Sequence, residues 1–252
     1  MLRTIAERLS RGRSFRYRMP QVYGGCRMFV TPEAGLRYWF PSFRFRKGEN
    51  LLENAAETVK PGNVVWDIGA NMGLFSFAAA GLAGQGGRVY AFEPDTFMVS
   101  LLRRSARLNL LAAPMEVIPC AVSDTISLAR FNIAKRSRTS NSLEGFGMSQ
   151  TGGVREEQTV LTVTLDWTAK QIPMPDVLKI DVEGAELGVF RGAAEVLKIK
   201  RPVILFESAA ENWGEIARML WNLGYTLYDS DLPPSRRQGL TDPVFNTLAV
   251  PA

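Results

Sequence analysis

Residues 64–73, Val64-Val65-Trp66-Asp67-Ile68-Gly69-Ala70-Asn71-Met72-Gly73, carry a largely apolar run into a turn punctuated by two glycines. Such a run, closed by turn residues, reads as a strand buried on both faces over 64–68. Residues 72–82 behind it read as a helix. Outward from this unit the pattern repeats, with strands over 88–92, 115–122, 177–180, 202–206, 225–228 and 247–250. Helices fall over 49–59, from 96 to about 110, from 185 to about 198 and over 213–223. Strands that alternate with helices imply an α/β domain with a mostly parallel seven-stranded sheet and helices on both faces. Two stretches depart from the pattern. Residues 126–133 and 160–165 alternate in polarity and read as an added antiparallel pair, joined by a loop over 134–158 rich in Ser, Gly and Arg.

Composition narrows the chemistry. The 252 residues are 46% hydrophobic and 22% charged, which suits one globular core. The apolar stretch 74–83 is far short of the roughly 18–20 residues needed to span a bilayer. Two cysteines, Cys26 and Cys120, make neither a disulfide framework nor a zinc site, and a reducing, cytoplasmic location is expected. The chain contains no histidine, which removes the commonest general base and zinc ligand together. Proton transfer must therefore use Asp, Glu, Lys, Tyr, Cys or solvent.

The net charge is +5, and the excess is concentrated at the start. Ten arginines and Lys47 fall within residues 1–47, against Glu7 and Glu33. Residues 1–48 read as a basic extension with a small strand-rich cap (Met28-Phe29-Val30, Tyr38-Trp39-Phe40), and 49–252 as the main domain. A solvated extension is the plain reading of the charge. Peripheral contact with an anionic surface is the functional one.

In a doubly wound sheet, ligands bind beyond the carboxyl ends of the strands. The turn after the first strand supplies Asp67, Gly69, Ala70, Asn71 and Gly73, whose glycines let backbone amides approach a ligand. An acid at Asp67 would repel a pyrophosphate and attract a cation, so the turn favours the amino and sulfonium groups of S-adenosylmethionine over a dinucleotide. Glu93-Pro94 ends the second strand, 26 positions later, where a carboxylate accepts ribose hydroxyls. The small residues Ala121 and Val122 end the third and leave room for an adenine ring. Asp181 and Glu183 end the fourth, two apart and so on one face. Paired acids there are costly unless something cationic lies between them. Glu207 ends the fifth. Trp213, Trp221 and Tyr225 sit at spacings that suit the core.

The strings Val65-Trp66-Asp67-Ile68-Gly69-Ala70-Asn71-Met72-Gly73, Ala91-Phe92-Glu93-Pro94-Asp95, Ala121-Val122-Ser123-Asp124 and Leu178-Lys179-Ile180-Asp181-Val182-Glu183-Gly184-Ala185-Glu186 resemble the FkbM family of methyltransferases in order and spacing over residues 61–228. Ser140-Asn141-Ser142-Leu143 is similar to a short polar loop of the same family. The resemblance implies a class I Rossmann-like methyltransferase fold, S-adenosyl-L-methionine as donor, and an oxygen acceptor on a sugar, glycolipid or natural product. It places Asp67, Gly69, Asn71, Glu93 and Asp181 in the cofactor pocket and Glu183 toward the acceptor. Asn141, in the polar loop, and Glu207, at its strand end, are further candidates for the acceptor side.

With no histidine, Glu183 is the first candidate to deprotonate or orient a hydroxyl, and Asp181 the second. Glu207 with Asp181 leaves room for a divalent metal, a reading less favoured because only position supports it. Rival readings are an amino-group methyltransferase of nucleic acid and a non-catalytic adenosyl-binding module. The first wants an (Asp/Asn)-Pro-Pro-aromatic string after the fourth strand, where Asp181-Val182-Glu183-Gly184 stands instead. Asp231-Leu232-Pro233-Pro234 comes too late and is followed by Ser235.

Overall fold

The structure, a computed structural model, describes residues 9, 11–35, 50–147 and 152–252. Tyr38-Trp39-Phe40 of the expected cap lies outside the described residues. Thirteen strands are assigned: β1 (Phe15–Arg18), β2 (Arg27–Val30), β3 (Val64–Ile68), β4 (Arg88–Phe92), β5 (Met115–Ile118), β6 (Ala121–Val122), β7 (Ser127–Ala134), β8 (Ser142–Leu143), β9 (Val154–Val163), β10 (Val177–Ile180), β11 (Val203–Glu207), β12 (Tyr225–Asp229) and β13 (Asn246–Pro251). The helices are α1 (Asn50–Thr58), α2 (Leu74–Ala83), α3 (Thr96–Ala106), α4 (Leu165–Thr168), α5 (Glu186–Arg191), α6 (Ala194–Ile199) and α7 (Ala210–Asn222).

Seven strands form the main sheet in the order β12-β13-β11-β10-β3-β4-β5. All run parallel except β13, which is antiparallel to both neighbours. This is the class I arrangement expected. The order reverses between β10 and β3, so a crevice opens beyond their carboxyl ends.

Alternate strand residues feed two cores. Val65, Val89, Ala91 and Val177 pack with α1, α2, α3 and the buried residues of the N-terminal hairpin β1–β2, including Met28 and Val30. Trp66, Phe92, Leu178 and Ile180 pack on the opposite face with Val189, Phe190, Trp213 and Ile216. Trp213 and Tyr225 are core as expected, whereas Trp221 is 38% exposed and meets Trp213 edge-on at 5.9 Å.

Four further departures from the sequence reading have local causes. Residues 115–122 are not one strand. Pro119 has no N–H to continue a ladder, and after Ile118 the chain leaves the main sheet and joins a second, four-stranded sheet as β6. The helix expected over 185–198 is two, α5 and α6, parted at Gly192, where a side chain would stand 2.3 Å from the Ser123 carbonyl oxygen. The helix from 96 stops at Ala106, before the expected 110. The added antiparallel pair exists as β7 and β9, but the loop between them is shorter than expected because the ladder continues to Ala134 and Val154 and carries β8.

Candidate active site

The turn after β3 is shaped by what lies against it. Gly69 has φ +75°, and a Cβ there would come within 1.9 Å of the Asp181 carbonyl oxygen, so only glycine fits. Asn71 is also left-handed, at φ +51°. Its backbone N–H donates to Glu93 Oε2 at 2.7 Å, while the Asp95 N–H donates to Glu93 Oε1 at 2.8 Å. Burial pushes the Glu93 carboxyl up to about 8, against the lowering effect of those two amides. Each of its oxygens keeps a free lone pair for another donor.

Above the turn lies a cavity of about 280 Å³ whose wall includes Gly69, Asn71, Glu93, Pro94, Cys120, Ala121, Val122, Asp181, Glu183 and Glu207. Its apolar sides are Ile68, Phe92, Phe131 and Leu143. Most of the residues singled out from sequence therefore converge here. The donor set suits an adenosyl group: small residues and apolar walls for a flat ring, a buried carboxylate for a diol, and an acidic rim.

Three expected contacts are placed differently. Asp67 does not line the cavity. It is buried beneath the turn, where Oδ2 accepts a 2.5 Å bond from the Ser76 hydroxyl and Oδ1 lies 3.3 Å from Lys179 Nζ. Its charge is met inside the protein, so the turn does not attract a cation through it. Ala70 and Gly73 also stand outside the wall; Gly73 packs against Leu102 and Phe77, and its role is to start α2 at φ +91°.

Lys179 is the cation that the acidic edge requires. Its buried Nζ touches Asp67 at 3.3 Å, Asp181 at 3.2 Å and the Gly69 carbonyl oxygen at 3.2 Å. Burial opposes its charge, but Asp181, Asp67 and Glu207 together hold its pKa above the ordinary lysine value. Lys179, in β10, and Asp181, just past its end, stand two apart and so on one side of the chain.

The 134–147 segment straps the cavity from the other side. Arg138 ion-pairs with Asp95 and, at 2.9 Å, with Glu33, and its carbonyl oxygen accepts from Asn71 Nδ2 at 3.1 Å. Asn141 lines the cavity but spends both ends of its amide internally: Oδ1 accepts from the Ala134 N–H and Nδ2 donates to Asp95, each at 2.9 Å. The sequence assigns Asn141 to the acceptor; in the structure it is a brace.

Asp181, Glu183 and Glu207 are common to the first cavity and an adjoining one of about 170 Å³, which also includes Glu186, Ser208, Glu211 and Phe245. Glu183 is held at φ +52°, a strained conformation for a glutamate. Burial, then the charges of Asp181, Glu207 and Glu186, push its carboxyl up to about 7 against the pull of Lys179. Burial and Asp181 likewise bring Glu207 to about 7. Glu186 accepts from the Gly184 N–H at 2.9 Å through Oε1, while its buried Oε2 has no partner. Among the described residues, no group of three or more His, Cys, Asp or Glu side chains is set to hold a metal ion.

The methyltransferase FkbM domain matches residues 67–227. The hexuronic acid methyltransferase AglP of Haloferax volcanii is 30% identical over 174 residues, covering 68% of this chain and 64% of that protein. The 31-O-demethyl-FK506 methyltransferase FkbM of Streptomyces tacrolimicus is 27% identical over 198 residues, covering 67% of this chain and 75% of that protein. A solved structure, methyltransferase FkbM from Methylobacillus flagellatus, aligns with a TM-score of 0.48 at 16% identity, over 79% of this chain and 52% of its own. The chain thus spans less than two thirds of the haloarchaeal protein and about half of the Methylobacillus chain.

Proposed function

Because this chain belongs to the FkbM methyltransferase domain family, we propose that it transfers a methyl group from S-adenosylmethionine to a hydroxyl oxygen on a sugar, glycolipid or natural-product acceptor. The observation that carries this reading is the shared wall of Asp181, Glu183 and Glu207, with a cavity of about 280 Å³ flanked by apolar walls on one side and an acid-lined cavity on the other. A group that must act on two ligands at once belongs in such a wall.

When bound, S-adenosylmethionine would supply an electrophilic methyl carbon: the acceptor oxygen bonds to it as the carbon–sulfur bond breaks in line, and sulfur leaves with that electron pair as the neutral thioether of S-adenosylhomocysteine. Glu93 would accept the ribose hydroxyls, and Cys120, Ala121 and Val122 would flank the adenine. Gly69 and Asp181 would face the amino-acid end. Glu183 would take the acceptor's hydroxyl proton at a carboxylate oxygen, becoming neutral as the oxygen–carbon bond forms. Orientation within the wall supplies much of the remaining advantage.

The acceptor cavity carries Asp181, Glu183, Glu186, Glu207 and Glu211, and no basic residue lines it among the described residues. Such a wall repels an anionic acceptor. The related haloarchaeal protein is named for a hexuronic acid; for this chain we infer a neutral or cationic hydroxyl compound instead.

The test is calorimetric binding of S-adenosylhomocysteine, followed by labelled methyl transfer across a panel of neutral, amino and uronic sugars. Measured above about pH 8, where Glu93 is ionised, Glu93→Gln places an N–H₂ against backbone donors and removes charge-assisted acceptance. It should weaken binding by roughly 10- to 100-fold, from about 1.5–3 kcal/mol for hydrogen bonds to a charged group. Unchanged affinity in that variant would overturn the placement of the ribose. Binding without turnover on any acceptor would favour a non-catalytic module.

A further inference from the structure

We propose that the face built from the β1–β2 hairpin and the end of α3 docks on an anionic lipid bilayer. Residues 11–32 and 96–115 contain eight arginines and no aspartate, glutamate or lysine. The fold brings the two segments together. The Phe29 N–H donates to Ser105 Oγ at 2.9 Å, and Asn109 brackets Arg27 by accepting from its N–H at 2.8 Å and donating to its carbonyl oxygen at 2.6 Å. The Arg104 guanidinium lies 4.3 Å from the Phe29 ring centre. Half-separated in sequence, the charges become one rigidly mounted field.

The acids that border these segments in sequence are spoken for. Glu33 and Asp95 pair with Arg138, and Glu116 with Arg88. Arg18, Arg27 and Arg107 are exposed and have no carboxylate partner among the described residues. These three surround a depression that also includes Leu110 and Leu111. The two leucines are 86% and 83% exposed, and Val22 nearby is 67% exposed.

Charge and apolar exposure together decide the partner. Arginines suit phosphates of any polyanion. Adjacent leucines standing in water have nothing to gain from a nucleic-acid backbone, but they would be buried at the boundary between lipid headgroups and acyl chains. The loop that carries them joins the end of α3 to the start of β5, at the amino edge of the sheet. The cavities lie at the carboxyl edge, so a docked molecule would hold its site open toward water.

Flotation of the full chain with phosphatidylcholine vesicles, with and without phosphatidylglycerol, tests the proposal. Binding should require the anionic lipid and weaken with salt. The triple variant R18Q/R27Q/R107Q should bind on the order of 100-fold more weakly, at roughly fivefold per arginine. The pair L110S/L111S, which leaves the charge untouched, should lose about tenfold or more. All five positions are exposed, and thermal unfolding should confirm that both variants fold. The proposal is overturned if the wild type ignores anionic vesicles, or if L110S/L111S binds them unchanged. It is equally overturned if an oligonucleotide is preferred over the vesicles with the same arginine dependence.

Discussion

Replacing Glu183 with glutamine is expected to lower kcat by roughly 10²- to 10⁴-fold, the usual contribution of a positioned proton acceptor. Affinity for S-adenosylhomocysteine should stay close to that of the wild type. The substitution keeps shape and hydrogen bonding but removes the basic oxygen. The wild-type rate carries a signature of its own. A carboxyl held at about 7 is neutral below that pH and cannot accept a proton, so kcat/KM, which reports the free enzyme, should rise with pH and level off above about 7. Glu207, held at about 7, contributes to the same limb, and the two carboxyls titrate as a pair rather than singly. In E183Q the remaining dependence belongs to Glu207. Parallel assays of E183Q and E207Q with and without EDTA separate a proton acceptor from a metal ligand. A chelator-insensitive enzyme with an unchanged rate in E183Q would remove both roles.

Lys179→Met should be the most destabilising single change at the site, costing about 3–5 kcal/mol in urea unfolding, as expected when one partner of a buried pair is removed. Methionine fills the same space, but Asp67 is left fully buried beside only the Ser76 hydroxyl. The double variant D67N/K179M should recover a large part of the loss, because it removes the stranded charge. If K179M unfolds at the wild-type midpoint, the buried cation is not what holds the turn to β10. Where the variant remains folded, the pH limb of kcat/KM should move upward, since Lys179 is the group that lowers the Glu183 pKa.

The strands of the sheet were legible because buried parallel strands are largely apolar runs, and residues 64–68, 88–92 and 177–180 are such runs with one charged residue each. The ends of elements were less legible. Pro119 and Gly192 both carry the relevant signal, but each acts through a distant partner or a missing donor that a one-dimensional pattern does not weigh. The site divides the same way. Glu93, Asp181, Glu183 and Glu207 stand at strand ends, where topology alone aims them at the crevice. Arg138 binds Glu33 and Asp95, separated from it by 105 and 43 positions, and no local spacing announces such a contact. Asp67, expected at the cofactor, does not line the cavity. In β3 it points to the α2 side, toward Ser76, beneath the turn whose backbone reaches the cavity.

The acid-lined wall also has a thermodynamic side. Glu183, Glu207 and Glu93 are held at about 7, 7 and 8, above the ordinary glutamate value. Between that value and these, the folded chain binds more protons than the unfolded one, so their contribution to stability falls as pH rises through the window. Near neutrality the empty protein thus folds against its own site, a local frustration kept for function. Ligands that bring hydroxyl donors or positive charge to the wall should relieve it, so a bound ligand is expected to raise stability most at pH values where these carboxyls are ionised.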